Sequence, residues 1–418
     1  MAQVLVEVDD LNVACIPEYL PEISEVMNKA FIFGKWEHDE ADFAGRHIKT
    51  SDDKVCMDQE KYILGKIMPV KLAKNRASNK TDRLNEEEFE AHRSLLYRIN
   101  WVAHQTRPEA SGVVSILASR LKDATVHDLQ CLNKLAQHLR NTAQQSLTLH
   151  RFDCDSMVFV CASDAGGVDS LPVLPDEPGS CSDTIQGAWV IMACGEVPSA
   201  SKKSKASILT WRSTKLKRRV SSTLAAEAVS FSMALAETEW LQVMFRDVTK
   251  GDVCRKDWRS SLLPYVAVLR EDCALQARAP QCSITDAKSL YDSINKGNPT
   301  SRQDRRTSVE LALISEAMEQ AKGALRWAPH PKMIADALTK DDISKSNGAL
   351  GELLRTSRLS LWDEDTELQW RKENSSFKRR SKGASEAIRQ ANSFLNEALK
   401  DLQVNSYLGV LTLDSSAR

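Results

Sequence analysis

No run of about 18 apolar residues occurs in the chain, so no membrane-spanning helix is expected. The N-terminus lacks the basic segment and apolar core of a secretory signal, which gives the expectation of a cytoplasmic or nuclear protein that is not secreted. The ten cysteines, scattered from Cys15 to Cys282, form no Cys-x-x-Cys pair, and the eight histidines do not cluster with them, so no zinc module is expected. Cys161 and Cys194 lie inside apolar runs and read as small buried hydrophobes in a reducing compartment. Strong overall charge is missing too: 56 Lys and Arg against 57 Asp and Glu leave a formal net charge of −1, so only local clusters can point to a charged partner. What is present suits a soluble globular chain: 42% hydrophobic and 27% charged residues over 418 positions. That length allows about two or three domains.

Pattern divides the chain. Residues 1–66 alternate short apolar runs with acidic turns: Val4–Val8 and Leu11–Ala14 read as a strand and its return, and 17–30 as a helix opened by Pro17. Residues 67–150 are helical after a polar stretch at 71–88, with apolar positions at Phe89, Leu95, Leu96 and Ile99, then Val113, Ile116 and Leu117, then Leu129, Leu132, Leu135 and Leu139. At 151–341 the period changes. Met157–Ala162 is nearly all apolar, as in a strand covered on both faces. After a Pro/Ser/Gly/Asp-rich loop at 169–186 come strands at 188–194 and 206–211 and a long helix over 223–246. A strand at 282–285, helices from 287 and around 305–322, a strand at 324–328 and a short helix from Pro331 complete the region. This order predicts an α/β layer with a mixed sheet. Residues 342–418 read as a polar tail.

Four carboxylates fall where the pattern matters. Asp164 is expected to end the first strand of the α/β layer and Asp286 the fourth, and strand ends are where such sheets bind ligands. Glu227 shares a helix face with Phe231 and Ala234, a costly place for a glutamate without a positive partner. Asp336 sits among Ile334, Ala335, Ala337 and Leu338. Each acid alone has an ordinary explanation: a turn residue before Gly166-Gly167, a helix cap at Asp286, or a solvated helix acid. Their order — strand end, helix, strand end, last helix — and the lack of His or Cys partners instead suit Mg²⁺ or Mn²⁺, which take oxygen ligands. A pair of such ions activates water against a phosphodiester.

The segments Ser163-Asp164-Ala165, Trp211–Lys215, Ser222–Glu227, Ile284–Leu290 and Ala335–Lys340, in this order, resemble the RNase H domain of copia-type LTR retrotransposon Pol polyproteins. The resemblance implies a five-stranded mixed sheet flanked by helices, with Asp164, Glu227, Asp286 and Asp336 as metal-binding catalytic residues. The substrate it implies is the RNA strand of an RNA–DNA hybrid. Upstream, Val8-Asp9-Asp10-Leu11 is similar to the second half of the reverse-transcriptase metal motif, with Glu7 where an aromatic is usual. Gln59–Ile63 and Thr106–Glu109 are similar to segments of the palm-to-connection region. On this basis 1–66 is expected to be a palm remnant, 67–150 a connection region and 151–341 the RNase H-like domain. The earlier palm aspartate and the fingers are not present, so polymerase activity is expected to be lost, and the rest of a Pol polyprotein is an expected partner. The chain departs from the family in the long insertion after Gly167 and in having Thr307-Ser308-Val309-Glu310 where Lys-His-Ile-Asp is frequent.

Basic residues flank the acids. Lys215, Lys217, Arg218 and Arg219, with Arg305 and Arg306, are the expected phosphate contacts. His330 lies near the last acid in sequence as a candidate for proton transfer or product release. Two further readings stand beside the nuclease: a non-catalytic nucleic-acid-binding remnant, and a DDE-type integrase, which would need a zinc-binding His/Cys module and different acid spacing.

Overall fold

The N-terminal apolar runs fold back on each other: β1 (Ala2–Glu7) pairs antiparallel with β2 (Asp10–Cys15), Glu7 opposite Asp10. Residues 2–7, 10–31, 35–153, 156–167, 185–196, 198–199, 202–218, 220–250, 281–295, 305–320, 323–344 and 348–360 are described in this computed structural model. A 3-10 turn at Pro17–Tyr19 leads into α1 (Leu20–Ala30), as Pro17 and the spacing predict. A second sheet follows that the sequence pattern did not announce. β3 (Glu40–Phe43), β4 (Arg46–Ser51) and β5 (Lys54–Asp58) form an antiparallel meander, and β6 (Leu147–His150) closes it from beyond the helices. This sheet joins segments on both sides of position 66.

Between β5 and β6 lie α2 (Glu60–Lys66), α3 (Lys74–Ala77), α4 (Glu86–Gln105), α5 (Ser111–Ser119) and α6 (Val126–Asn141). Helix α4 starts at Glu86 rather than Phe89, because Asn85 and Glu88 make a reciprocal capping box. Thr125 and Asp128 do the same for α6. The apolar positions read from the spacing meet in one core: Leu95, Leu96 and Ile99 against Val113, Leu117, Leu132, Leu135 and Leu139.

The main sheet has six strands. β7 (Val158–Gly167), β8 (Ile185–Cys194) and β9 (Ser204–Lys215) run antiparallel in succession. After α7 (Thr223–Lys250), β10 (Gln281–Thr285) adds parallel to β7. α8 (Lys288–Asn295) and α9 (Arg305–Gln320) precede β11 (Ala324–Trp327), which adds parallel to β10. α10 (Ala349–Thr356) and the two-residue β12 (Arg358–Leu359) come last, giving the order β11-β10-β7-β8-β9-β12. The fold is therefore mixed α/β as expected, with a correction. The polar tail does not begin at 342, since Leu350, Leu353 and Leu354 of α10 belong to the sheet's core and β12 extends its edge. Positions 363–418 lie outside the described residues, while Met1–Trp362 group as one compact unit.

The near-continuous apolar run of β7 is explained by burial on two sides. Phe159 and Cys161 pack with Trp189, Ile191 and Ala234 under α7. Val160 and Ala162 pack on the opposite face with Val190, Met192, Ile284, Met333, Ile334 and Leu338. The helical block is fastened to the sheet by polar contacts as well: Trp211 Nε1 donates to Ala103 O at 2.8 Å, and Gln186 Nε2 donates to Ser115 Oγ at 2.7 Å. Among the described residues no helix is long and apolar enough to cross a membrane.

Candidate metal centre

β7 outruns β10. Ile284 pairs with Ala162, and β10 stops at Thr285, while β7 continues to Gly167 paired with β8. Two residues beyond that last pair on each strand stand Asp286 and Asp164, so the parallel register itself brings the two acids to one place. Asp164 is accordingly inside its strand, opposite Ala188, and not at the strand end the sequence suggested. Glu227 arrives from the first turns of α7, whose start is held by Ser222 Oγ accepting from Ala225 N at 3.1 Å. Phe231 and Ala234, on the same helix face, are fully buried, Ala234 against β7 and β8 and Phe231 among α8, α9 and Leu325 of β11, and they draw Glu227 in with them. Side-chain oxygens of Asp164, Glu227 and Asp286 all lie within 4.8 Å of one another, the one such group of three among the described residues.

The ordinary explanations of these acids do not describe what is seen. Asp286 does not cap α8: Thr285 Oγ1 accepts the Ala287 N–H at 3.2 Å, and Asp286 Oδ2 instead lies 2.9 Å from His330 Nδ1. Glu227 is not solvated, being 9% exposed, and its Oε2 is buried with no hydrogen-bond partner. Asp164 is 4% exposed and receives the Thr339 hydroxyl at 2.6 Å, while Ser230 Oγ donates to its carbonyl at 2.9 Å.

Burial and mutual repulsion raise the proton affinity of this group. Desolvation, with Asp164 and Asp286 adding to it, pushes Glu227 up to about 9. Desolvation and the Asp286 charge push Asp164 to about 6, against the Thr339 hydrogen bond. The contact with Asp286 raises His330, a side chain that is 65% exposed at the mouth of the site.

Asp336 is the exception among the four acids. It sits in a 3-10 turn at Ala335–Thr339, outside the group of three, with Oδ1 2.8 Å from Lys340 Nζ and 3.7 Å from His330 Nε2. Burial opposes the charge on Lys340, but Asp336, Asp164 and Asp286 outweigh it and raise its pKa. Sequence reasoning gave no role to Ser230, Thr339 or Lys340. The last two were within reach: at three and four residues beyond Asp336 they fall on its side of a helical turn.

The expected phosphate contacts divide. Lys215 and Lys217 are exposed. Lys215 pairs with Gln186, which pairs with Gly166, two residues past Asp164. Two strand spacings, about 10 Å, separate it from that row of β7. Arg218 is engaged by Glu310 at 3.1 Å, and Arg305 and Arg306 are exposed at the start of α9. Arg219 and Asp9 lie outside the described residues. Asp10 is exposed at the start of β2.

The donor set fits a hard divalent cation. It is all oxygen, it comes from three separate elements, and it includes a buried carboxylate oxygen that no protein donor satisfies.

No protein-family model matches the chain, and no curated protein matches it. Solved structures similar to part of it include the N-terminal RNase H domain of a Mycobacterium tuberculosis protein fused to maltose-binding protein, at 11% identity and TM-score 0.26, over 47% of this chain and 99% of that one. RNase H1 from the archaeon Halobacterium salinarum is similar at 12% identity and TM-score 0.26, over 46% and 98%. The protease–reverse transcriptase of prototype foamy virus is similar at 12% identity and TM-score 0.22, over 48% of this chain and 20% of that one. Likenesses this slight decide nothing, and the functional reading rests on the geometry of the acids.

Proposed function

We propose that the chain is a metal-dependent endonuclease that cuts the RNA strand of RNA–DNA hybrids, and that it derives from a copia-type retrotransposon Pol polyprotein. The observation that carries the reading is the convergence of Asp164, Glu227 and Asp286 within 4.8 Å, with Glu227 Oε2 buried and unpartnered. The crowded acids repel one another when ionised, so holding them charged together is costly unless a cation neutralises them. Ser163 Oγ and Gln281 Oε1 of the same sheet are also buried without a partner, so the weight falls on this oxygen's place among three converging acids, where a cation can satisfy it.

In this reading Asp164, Glu227 and Asp286 hold Mg²⁺ or Mn²⁺, with Asp336 beside them as a fourth acid. Divalent ions bound there supply an activated water and charge neutralisation for the leaving oxygen. The remaining work falls to the chain. Thr339 and Ser230 fix the Asp164 side chain and backbone, so the site is pre-shaped rather than assembled on substrate. His330, exposed and in contact with Asp286, stands at the mouth where a proton can be passed to the departing 3′ oxygen. Lys215 and Lys217 supply phosphate contacts, and selection for RNA rests on the 2′-hydroxyl and the A-like shape of the hybrid.

The test is direct. The purified chain is incubated with a duplex carrying label on either strand, in Mg²⁺ or Mn²⁺, beside single-stranded RNA and duplex DNA. The proposal expects cutting of the RNA strand in the hybrid alone and none after chelation. A hybrid that is bound but never cut favours the non-catalytic nucleic-acid-binding remnant.

A further inference from the structure

Lys340 occupies an unusual place for a lysine. Its side chain is only 27% exposed, it stands four residues after Asp336 at the end of the 3-10 turn, and its ammonium lies 2.8 Å from an Asp336 oxygen. Asp336 is itself 18% exposed at the side chain and makes its shortest contact with Lys340, while the three acids that share a site are Asp164, Glu227 and Asp286. The negative potential of those acids also favours the Lys340 charge. Among the described residues the centre thus carries one lysine of its own chain, on a flexible four-carbon stem and paired with a single carboxylate, beside the more exposed His330.

We propose that Lys340 is a built-in counter-cation that competes with divalent metal for Asp336, so that the site takes one ion on Asp164, Glu227 and Asp286 and takes a second only by displacing the ammonium. The inference rests on the reading that these acids bind divalent ions. Its physical basis is charge. A positive group close to the acids lowers the affinity of any further cation, and it does so more strongly in a partly buried site than in water. The release step is local, because the ammonium is held by one ion pair and part of the side chain already reaches solvent. A site of this kind answers to the free concentration of divalent ion: one ion stays bound at low levels, and the second arrives as the level rises.

Mn²⁺ titration of the full chain without nucleic acid, by calorimetry and by the electron paramagnetic resonance signal of free Mn²⁺, tests this. Wild type is expected to show a tighter and a weaker binding step. In Lys340→Met the weaker step should tighten at least about tenfold, while Lys340→Arg, which keeps the charge, should stay near wild type. A lysine that merely supports the fold would weaken both steps when replaced. If Lys340→Met folds poorly, Lys340→Gln is compared by melting with and without Mn²⁺, and a larger metal-induced rise than wild type's is expected. An unchanged or weakened second step, or an equal or smaller melting rise, overturns the inference, as does a wild type that takes up no Mn²⁺. Hybrid cleavage is scored separately. A chain that shows the two steps and the Lys340→Met effect but cuts no hybrid keeps this inference and loses the nuclease. A chain that cuts while its second step ignores Lys340 does the reverse.

Discussion

Glu227 is the residue on which the most physics converges. Its carboxyl is protonated in the fold well above the range where an unfolded chain would ionise it, with about 9 replacing an ordinary 4.5. A folded value raised in this way gives stability that is complete below about pH 4.5 and is lost as pH climbs toward about 9, because only the unfolded chain gives up the proton cheaply. Glu227→Gln removes that dependence. Without metal, the variant should melt close to wild type near pH 4.5 and above it by on the order of 5 °C at pH 8. Equal melting curves across that range would remove the buried, ionisable glutamate from the account. Thr339→Val tests the neighbouring contact. The hydroxyl lies 2.6 Å from Asp164 Oδ2 and 2.9 Å from the Asp336 carbonyl, so its loss should cost about 1–2 kcal/mol of stability and weaken Mn²⁺ binding. At this scale the sequence was informative about type and poor about partners. An acid beside apolar residues is visible in a string of letters. That Asp286 meets His330, 44 positions away, rather than the helix that follows it is settled by where β11 ends.

Among elements, the turn at Ala335–Thr339 carries the most consequence for its size, and a helix from the other end of the chain supports it. Gly112 of α5 lies so close that an added Cβ would stand 2.8 Å from Leu338 O and 2.9 Å from Ala337 O, both backbone atoms that cannot swing aside. Gly112→Ala should therefore destabilise the protein by about 1–3 kcal/mol and loosen the turn that presents Asp336, Thr339 and Lys340. The checks are a denaturant melt and the two-step Mn²⁺ titration, and unaltered metal binding would show that the turn does not depend on α5. The strands and helices of the main sheet were legible because their patterns are distinct: a continuous apolar run in Met157–Ala162 and a helical face at Phe231 and Ala234 of α7. The sheet of β3 to β6 was not: β3, β4 and β5 pair locally but are short and largely polar, so they leave little apolar alternation, and β6 joins β5 from about ninety residues downstream. β12 was missed for the same reason: two residues at an edge leave no periodic trace.

For the whole molecule, a formal net charge of −1 means that any affinity for nucleic acid has to come from local charge. Lys215 and Lys217 are the test pair, since Arg218 already answers Glu310. Replacing both lysines by Gln should lower the slope of log affinity against log salt by about two for a hybrid duplex. An unchanged slope would move the binding face elsewhere. The central claim is that three carboxylates, one inside β7, one just past the end of β10 and one on α7, form a metal site that cuts RNA, and Asp286→Asn addresses it with little change of shape. Its test is a single paired measurement: Mg²⁺-dependent cleavage of the RNA strand of a hybrid by wild type and by Asp286→Asn, with melting curves of both proteins with and without Mg²⁺. The account predicts cutting by wild type alone, an Asn variant whose metal-free melting temperature equals or exceeds that of wild type, and a stabilisation by Mg²⁺ that the variant loses. Robust cutting by Asp286→Asn would contradict it.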